Sequence, residues 1–344
     1  MKAAAGIGIE FRAPGLARMF GRVCLTVVLL AEGIAARQDT TLRSQSNAVI
    51  VPAVVRDANG GVVYGLTQKD FVLFDDGAEQ IVHLDDSAEA GAISLVVAMQ
   101  TGRRAPREFP RMRGLAALLS PVFSQPGSRV ALVEFDSQIH LVNGFTSDET
   151  RMDENLKALR SGDNGAAIRD AVKFSVSLLE KEAAPRQRVL LLVSENRDQG
   201  SRVAKIDDVV ADIGNSNTVV YALAFSPSLS QVLDTERGSN HDEAYWDAPP
   251  DIIGSLRMAR QSMRKNTSRA IAAMTGGEYV NFASRKAFET QLVDFTNRLH
   301  SRYVLSFEPQ RPHPGLHRIE VRLKQPVNGL TVLSRTSYWA ADGP

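Results

Sequence analysis

The stretch that decides the fold is Ile93–Ser94–Leu95–Val96–Val97–Ala98, followed by Met99–Gln100–Thr101–Gly102–Arg103–Arg104. A strand of a parallel sheet is covered on both faces, so it reads as an unbroken apolar run that stops at a turn. Ile93–Ala98 is such a run. In an open α/β sheet, ligands meet the carboxyl ends of the strands. The loop after Ala98 is therefore where function is expected, and it carries no carboxylate and no serine.

Working outward, three more runs read as buried strands: Val130–Phe135, Val189–Ser194 and Val219–Phe225. Helical spacing lies between and after them, over 108–123, 149–160, 166–182, 205–214, 268–274 and 286–300. In the third of these, Ala167, Ala171, Phe174, Leu178 and Leu179 share one face. Strand–helix alternation of this kind predicts an α/β fold, a doubly wound and mostly parallel sheet of Rossmann-like type, over residues 91–300. Residues 226–267 break the rhythm with Pro227, Gly238, Pro249 and Pro250. They read as a surface insertion with a helix near 251–265, in which Tyr245 and Trp246 are the one sticky element.

The flanks have a different period. Residues 48–90 hold half-exposed strand signals around the turns Asp57–Gly61 and Asp75–Asp76–Gly77, whose Asn-Gly and Asp-Gly pairs supply positive φ. Residues 301–340 return to β character at Tyr303–Phe307, Arg318–Leu323 and Leu330–Arg335. The two ends are expected to pair into one antiparallel β subdomain beside the α/β part.

Upstream, Lys2, Arg12, Arg18 and Arg22 precede the short apolar run Val23–Ala31 and the small residues Gly33, Ala35 and Ala36. This reads as a secretory signal over 1–36, with a polar linker over 37–47. The apolar run is shorter than the roughly 20 residues a membrane span needs, so no span is expected in the mature chain. The sole cysteine, Cys24, falls in the signal, which removes disulfides and cysteine chemistry from the mature protein. The location expected is periplasmic, envelope-associated or extracellular. Among 344 residues, 44% are hydrophobic and 23% charged, the composition of a folded chain. A net charge of +1 gives no electrostatic case for nucleic acid.

The middle of the chain resembles a von Willebrand factor A domain. The landmarks are Ile93–Ala98, Arg129–Phe135 with Asp136, Phe145–Thr146, the run Gly162–Ala171, Val189–Asp198, and Thr275–Gly276–Gly277 before Tyr279–Val280. The flanks are similar to those of an exported subgroup known from acidobacteria, through Val55–Arg56–Asp57, Leu66–Thr67, Asp70–Phe71, Leu73 and Asp75–Gly77. Such domains usually hold Mg²⁺ with an Asp-x-Ser-x-Ser at the end of the first strand, a Thr from a second loop and an Asp from a third. Hard oxygen donors suit that ion. Placed on this chain, the pattern falls on Ala98, Gln100 and Gly102, then on Ala166, then on Glu195, the only retained carboxylate. One carboxylate makes a poor Mg²⁺ site, so no cofactor is expected. The alternative is a substituted Mg²⁺ or Ca²⁺ site drawing on Glu195, Asp136 and Asp198, with Asp163 nearby; these acids equally suit turn formation and helix capping.

Arg103, Arg104, Arg107, Arg111 and Arg113 crowd the segment after the first strand, and Arg169 and Arg197 lie on the other two loops. Guanidinium forks bind carboxylates bidentately. The cluster reads either as a surface for an acidic protein partner or as a solvated helix face neutralised by Glu108 and nearby acids. Enzyme signals are sparse. Ser262–Met263–Arg264–Lys265 is a bare S-x-x-K without companion motifs, and the six histidines are scattered. His313 and His317 are four apart, but Pro314 and Gly315 between them rule out a shared helical face. The leading expectation is a non-catalytic, exported protein-binding module. The alternatives are a metal-dependent adhesion module and a hydrolase whose residues converge only in three dimensions.

Overall fold

The structure is a computed structural model that describes residues 48–85, 91–183, 186–225, 252–299, 301–310, 313–325 and 328–340. All of these belong to one compact unit, Asn47–Pro344. The expected signal over 1–36, the linker, Tyr245 and Trp246 lie outside the described residues.

The strands are β1 (Val49–Arg56), β2 (Phe71–Asp75), β3 (Ala78–Gln80), β4 (His83–Leu84), β5 (Ile93–Gln100), β6 (Arg129–Phe135), β7 (Ile139–Thr146), β8 (Gln187–Ser194), β9 (Thr218–Phe225), β10 (Tyr279–Phe282), β11 (Tyr303–Phe307), β12 (Gly315–Leu323), β13 (Thr331–Ser334) and β14 (Ser337–Ala340). Six of them form the central sheet in the order β10-β9-β8-β5-β6-β7, parallel except for β7. The α/β fold expected from the alternating runs is therefore present.

Every residue of β5 is buried, and successive side chains serve opposite layers. Val96 and Ala98 face a cluster with helices α4 (Ile168–Glu180), α5 (Ile206–Asn215), α6 (Ile252–Lys265) and α7 (Thr267–Thr275). Leu95, Val97 and Met99 face a second cluster with α1 (Leu115–Leu118), α2 (Ser120–Ser124), α3 (Glu149–Ala158) and α8 (Arg285–Leu299). Burial of each large apolar side chain contributes roughly 1.5–3 kcal/mol. The period of two is thus hidden inside a continuous apolar run, because both faces are covered.

Three expectations need correction. The helix foreseen over 108–123 is broken into a 3₁₀ turn at Phe109–Met112 and the short α1 and α2. Gly114 sits at φ 86° ahead of α1, and Pro110 and Pro121 each occupy a first-turn position, where a missing N–H is tolerated but a continuing helix is not. The helix of the supposed surface insertion, α6, is a core element: Ala259 and Met263 are fully buried. Strands β7 and β10 have no counterpart among the expected strands. Only Asn143 of β7 is fully buried, and its register against β6 shifts twice, so no clean alternation survives. Strand β10 is only four residues long.

The flanks build two four-stranded antiparallel sheets, ordered β13-β1-β11-β4 and β14-β12-β2-β3. Alternate residues Val51, Ala53 and Val55 of β1 share one cluster with Leu305 and Phe307 of β11, Phe71 and Leu73 of β2, and Ile319 and Val321 of β12. The order alternates between the two chain ends, since β1 pairs with β11 and β13 while β12 pairs with β2 and β14.

Charged groups join these sheets to the α/β part. Glu278, just before β10, is buried between Arg56 of β1 and Arg298 of α8, and it forms an ion pair with each. Arg335 is buried and forms no ion pair with a carboxylate among the described residues. It donates to the carbonyls of Ser337 (2.7 Å), Ile50 (3.1 Å) and Gly214. Burial pushes its pKa down to about 10.

Removing one member of a buried pair leaves an uncompensated charge. Glu278→Ala is expected to lower unfolding free energy by about 3 kcal/mol, within the range for such losses. Urea denaturation followed by circular dichroism checks this, and a loss below about 1 kcal/mol would show that the two arginines find other partners.

Candidate functional site

The site is the carboxyl edge of the central sheet. Strand β5 runs two residues beyond Ala98, which lies inside the strand with no exposed surface. Ala98 therefore cannot be a ligand position at the edge, and the strand ends at Gln100. Counted from there, the five-residue pattern of the first loop falls on Gln100–Thr101–Gly102–Arg103–Arg104.

Gln100 is fully buried, and its amide joins two strand ends. Its Oε1 accepts from the Glu195 N–H at 2.8 Å, and its Nε2 donates to the Gly102 carbonyl at 3.2 Å. Gly102 lies under the loop that precedes α4. A Cβ there would come within 2.1 Å of the Gly165 carbonyl oxygen and 2.8 Å of that of Asp163, so only glycine fits. The loops are stitched by further main-chain bonds, Gly162 N–H to Thr101 O at 2.9 Å and Arg103 N–H to Asp163 O at 2.8 Å.

Arg103 has a left-handed backbone, φ 56°, uncommon for a long side chain. That turn brings its Nε to 3.1 Å from Glu195 Oε2, with both side chains largely buried. The other oxygen, Glu195 Oε1, is buried and has no hydrogen-bond partner among the described residues. Ala166 is also buried and offers only main chain, exchanging bonds with Gln199 at 2.5 and 2.8 Å.

The remaining acids hold loops. Asp136 accepts from the Gln138 N–H (2.8 Å) and the Asp163 N–H (2.9 Å). Asp163 accepts from the Ser137 hydroxyl, the Ser137 N–H (3.0 Å) and the Gly165 N–H (2.8 Å). The Ser137 hydroxyl foremost, and then these amides, hold its carboxyl below the usual range. Asp198 accepts from the Arg169 N–H at 2.9 Å and from the Ser201 hydroxyl, and its second oxygen pairs with the Arg169 guanidinium at 3.1 Å. This is the turn-forming use of Asp136, Asp163 and Asp198.

The seven arginines divide accordingly. Arg103 and Arg169 are committed to Glu195 and Asp198, and Arg111 to Glu108. Arg197 is exposed and donates to the Lys265 carbonyl at 3.1 Å. Arg104, Arg107 and Arg113 are exposed, and none forms an ion pair among the described residues. Beside this edge runs a groove of about 600 Å³ lined by Met99, Phe109, Met112, Leu115, Leu156 and Leu159, with Arg113, Asp153 and Lys157 at its rim.

This donor set does not suit Mg²⁺. The ion takes near-octahedral oxygen ligands at about 2.0–2.1 Å. Here Glu195 is the one carboxylate, one of its oxygens lies on a guanidinium, Gly102 and Ala166 have no hydroxyl, and the Gln100 oxygen is already an acceptor. The positive charge facing Glu195 is supplied by Arg103.

Residues 97–199 match the family model of the von Willebrand factor type A domain. The fold is of this A-like kind, with its mostly parallel sheet and the antiparallel sheets beside it. Among solved structures, the conserved hypothetical protein BatB of Bacteroides thetaiotaomicron aligns at 14% identity over 60% of this chain and 99% of its own, with a TM-score of 0.39. The vWF domain of a type V pili tip protein from Porphyromonas gingivalis aligns at 8% identity over 61% of this chain and 95% of its own, with a TM-score of 0.40. The pilus adhesin SpaC of Lactobacillus rhamnosus GG aligns at 9% identity over 84% of this chain and 48% of its own, also at 0.40. No curated protein matches the chain. No helix among the described residues is long and apolar enough to cross a membrane.

The close approach at Gly102 gives a sharp test of the loop geometry. Gly102→Ala is expected to cost at least about 2 kcal/mol, since the nearest atom it meets is the backbone carbonyl oxygen of Gly165. Gly144→Ala, at a position open to solvent, is expected to stay within about 0.5 kcal/mol. Paired thermal denaturation of the two variants reads the difference.

Proposed function

We propose that this von Willebrand A-like chain is a non-catalytic, exported protein-binding module that recognises an acidic partner without a bridging metal. The observation that carries the reading is the Arg103–Glu195 pair at 3.1 Å, in which a guanidinium stands against the one retained carboxylate of the loop edge. With that charge met internally, the exposed Arg104 and Arg107 are the groups left to meet a partner's carboxylates. Export is supported by the basic and apolar pattern of residues 1–36. Ser262 and Lys265 lie near the end of α6, with no second catalytic motif in the sequence.

A second reading has one observation in its favour. Glu195 Oε1 is buried without a hydrogen-bond partner, as a substituted Mg²⁺ or Ca²⁺ ligand would be before the ion arrives. Calorimetric titration with Mg²⁺, Ca²⁺ and Mn²⁺ separates the two. The expected result is no saturable binding that depends on Glu195. Sub-millimolar binding abolished by Glu195→Ala would overturn metal independence.

Recognition by arginines has its own signature. Capture of partner from an envelope extract is expected to fall at least tenfold in Arg104→Ala/Arg107→Ala, and to weaken as salt rises from 50 to about 300 mM. Capture that is insensitive to both would remove these two arginines from the interface.

A further inference from the structure

A second cluster of ionisable groups lies on the antiparallel sheet β14-β12-β2-β3, outside the loop edge. Asp75 ends β2, Asp76 opens the turn to β3, His313 precedes β12 and His317 lies within it. Asp76 has a left-handed backbone, φ 48°. His317 is 2% exposed, whereas His313 is 40% exposed.

The hydrogen bonds leave one set of atoms facing each other. His317 Nε2 lies 2.6 Å from the His313 carbonyl oxygen, which can only accept, so this nitrogen carries the hydrogen. The opposite nitrogen, Nδ1, is hydrogen-bonded to Asp75 Oδ1 at 3.1 Å and lies 2.9 Å from Asp76 Oδ2. Asp76 Oδ1 accepts from the Arg318 N–H at 2.9 Å, while Oδ2 is buried with no hydrogen bond of acceptable geometry among the described residues. His313 Nε2 lies 3.2 Å from the same Oδ2. Asp75 Oδ2 accepts from the Tyr338 hydroxyl at 2.9 Å. Asp76, His313 and His317 each offer one ligand atom, and these three atoms all lie within 4.8 Å of one another.

We infer that Asp76, His313 and His317 form a binding site for a divalent first-row transition ion of the Zn²⁺ class. Bonds of about 2.0–2.2 Å to a tetrahedral ion place ligand atoms roughly 3.3 Å apart, close to the 2.9 and 3.2 Å separations present. Two imidazoles and a carboxylate are the donor set that such ions prefer over Mg²⁺ or Ca²⁺. A metal-ligating histidine donates its other N–H to a carbonyl or carboxylate, which fixes the tautomer, and His317 is already so held by the His313 carbonyl. Charge also fits, because Asp75 and Asp76 converge on His317, and a divalent ion would replace the proton that Nδ1 directs at Asp75. The three ligands leave a fourth position for water or a partner group. The ion would pin the β2–β3 turn to the segment entering β12.

The test is calorimetric titration of the full chain with zinc chloride, alongside His313→Ala, Asp76→Asn and the control His140→Ala, each checked for native circular dichroism. Asparagine tolerates the left-handed backbone at position 76, so that variant removes the ligand charge with little strain. The expected result is one ion per chain, with affinity at least tenfold weaker in His313→Ala and in Asp76→Asn and unchanged in His140→Ala. No saturable one-to-one binding, or binding that either ligand variant leaves unaltered, would overturn the assignment.

Discussion

A guanidinium buried without a carboxylate holds the parts of this molecule together. Arg335 reaches carbonyls on three separate elements, β1, the end of α5 and the start of β14. Withdrawing a charged group from water costs several kcal/mol unless each donor is met, so the three carbonyls must converge. Gly214 lies in the last turn of its helix, where the backbone dipole favours a cation. Glu278 does the complementary work on the other side, one carboxylate between Arg56 and Arg298. Polar satisfaction, together with the packing of Leu316 and Trp339 into the α/β core, thus sets how the antiparallel sheets meet the α/β layers.

The same economy shapes the loop edge. Gln100 ends its strand fully buried, and each end of its amide has a main-chain partner. Gly102 lets two loops pass at backbone contact, and the left-handed turn at Arg103 then aims a guanidinium at Glu195. Three of the nearby acids are consumed as acceptors for loop amides. The edge is built as a closed hydrogen-bonded surface whose outward charge includes Arg104, Arg107 and Arg197.

Much of this was legible in the chain and some was not, for physical reasons. Long runs such as Ile93–Ala98 declare themselves because burial on both faces leaves no polar interruption. The end of β5 was misplaced by two residues because Gln100 looks like the start of a loop. A buried amide satisfied by the Glu195 N–H is indistinguishable in sequence from an exposed one. Strand β7 is an edge strand with an irregular register, so its alternation is lost. The inner face of α6 is carried by Ala259 and Met263, too sparse a stripe to signal a core helix. The pairing of His317 with Asp76 spans most of the chain, and only the return of β12 beside β2 brings them together.

The nesting of the chain has a mechanical consequence. Strand β1 pairs antiparallel with both β11 and β13, and the whole α/β part is inserted between β4 and β11. A pull applied at Val49 and at Ala340 is therefore met first by the hydrogen bonds of β1 to β11, around Val49–Phe307, and of β14 to β12, around Gly315–Ala340. The central sheet lies off the line of tension. Its loop edge can keep its geometry while the antiparallel sheets bear the load.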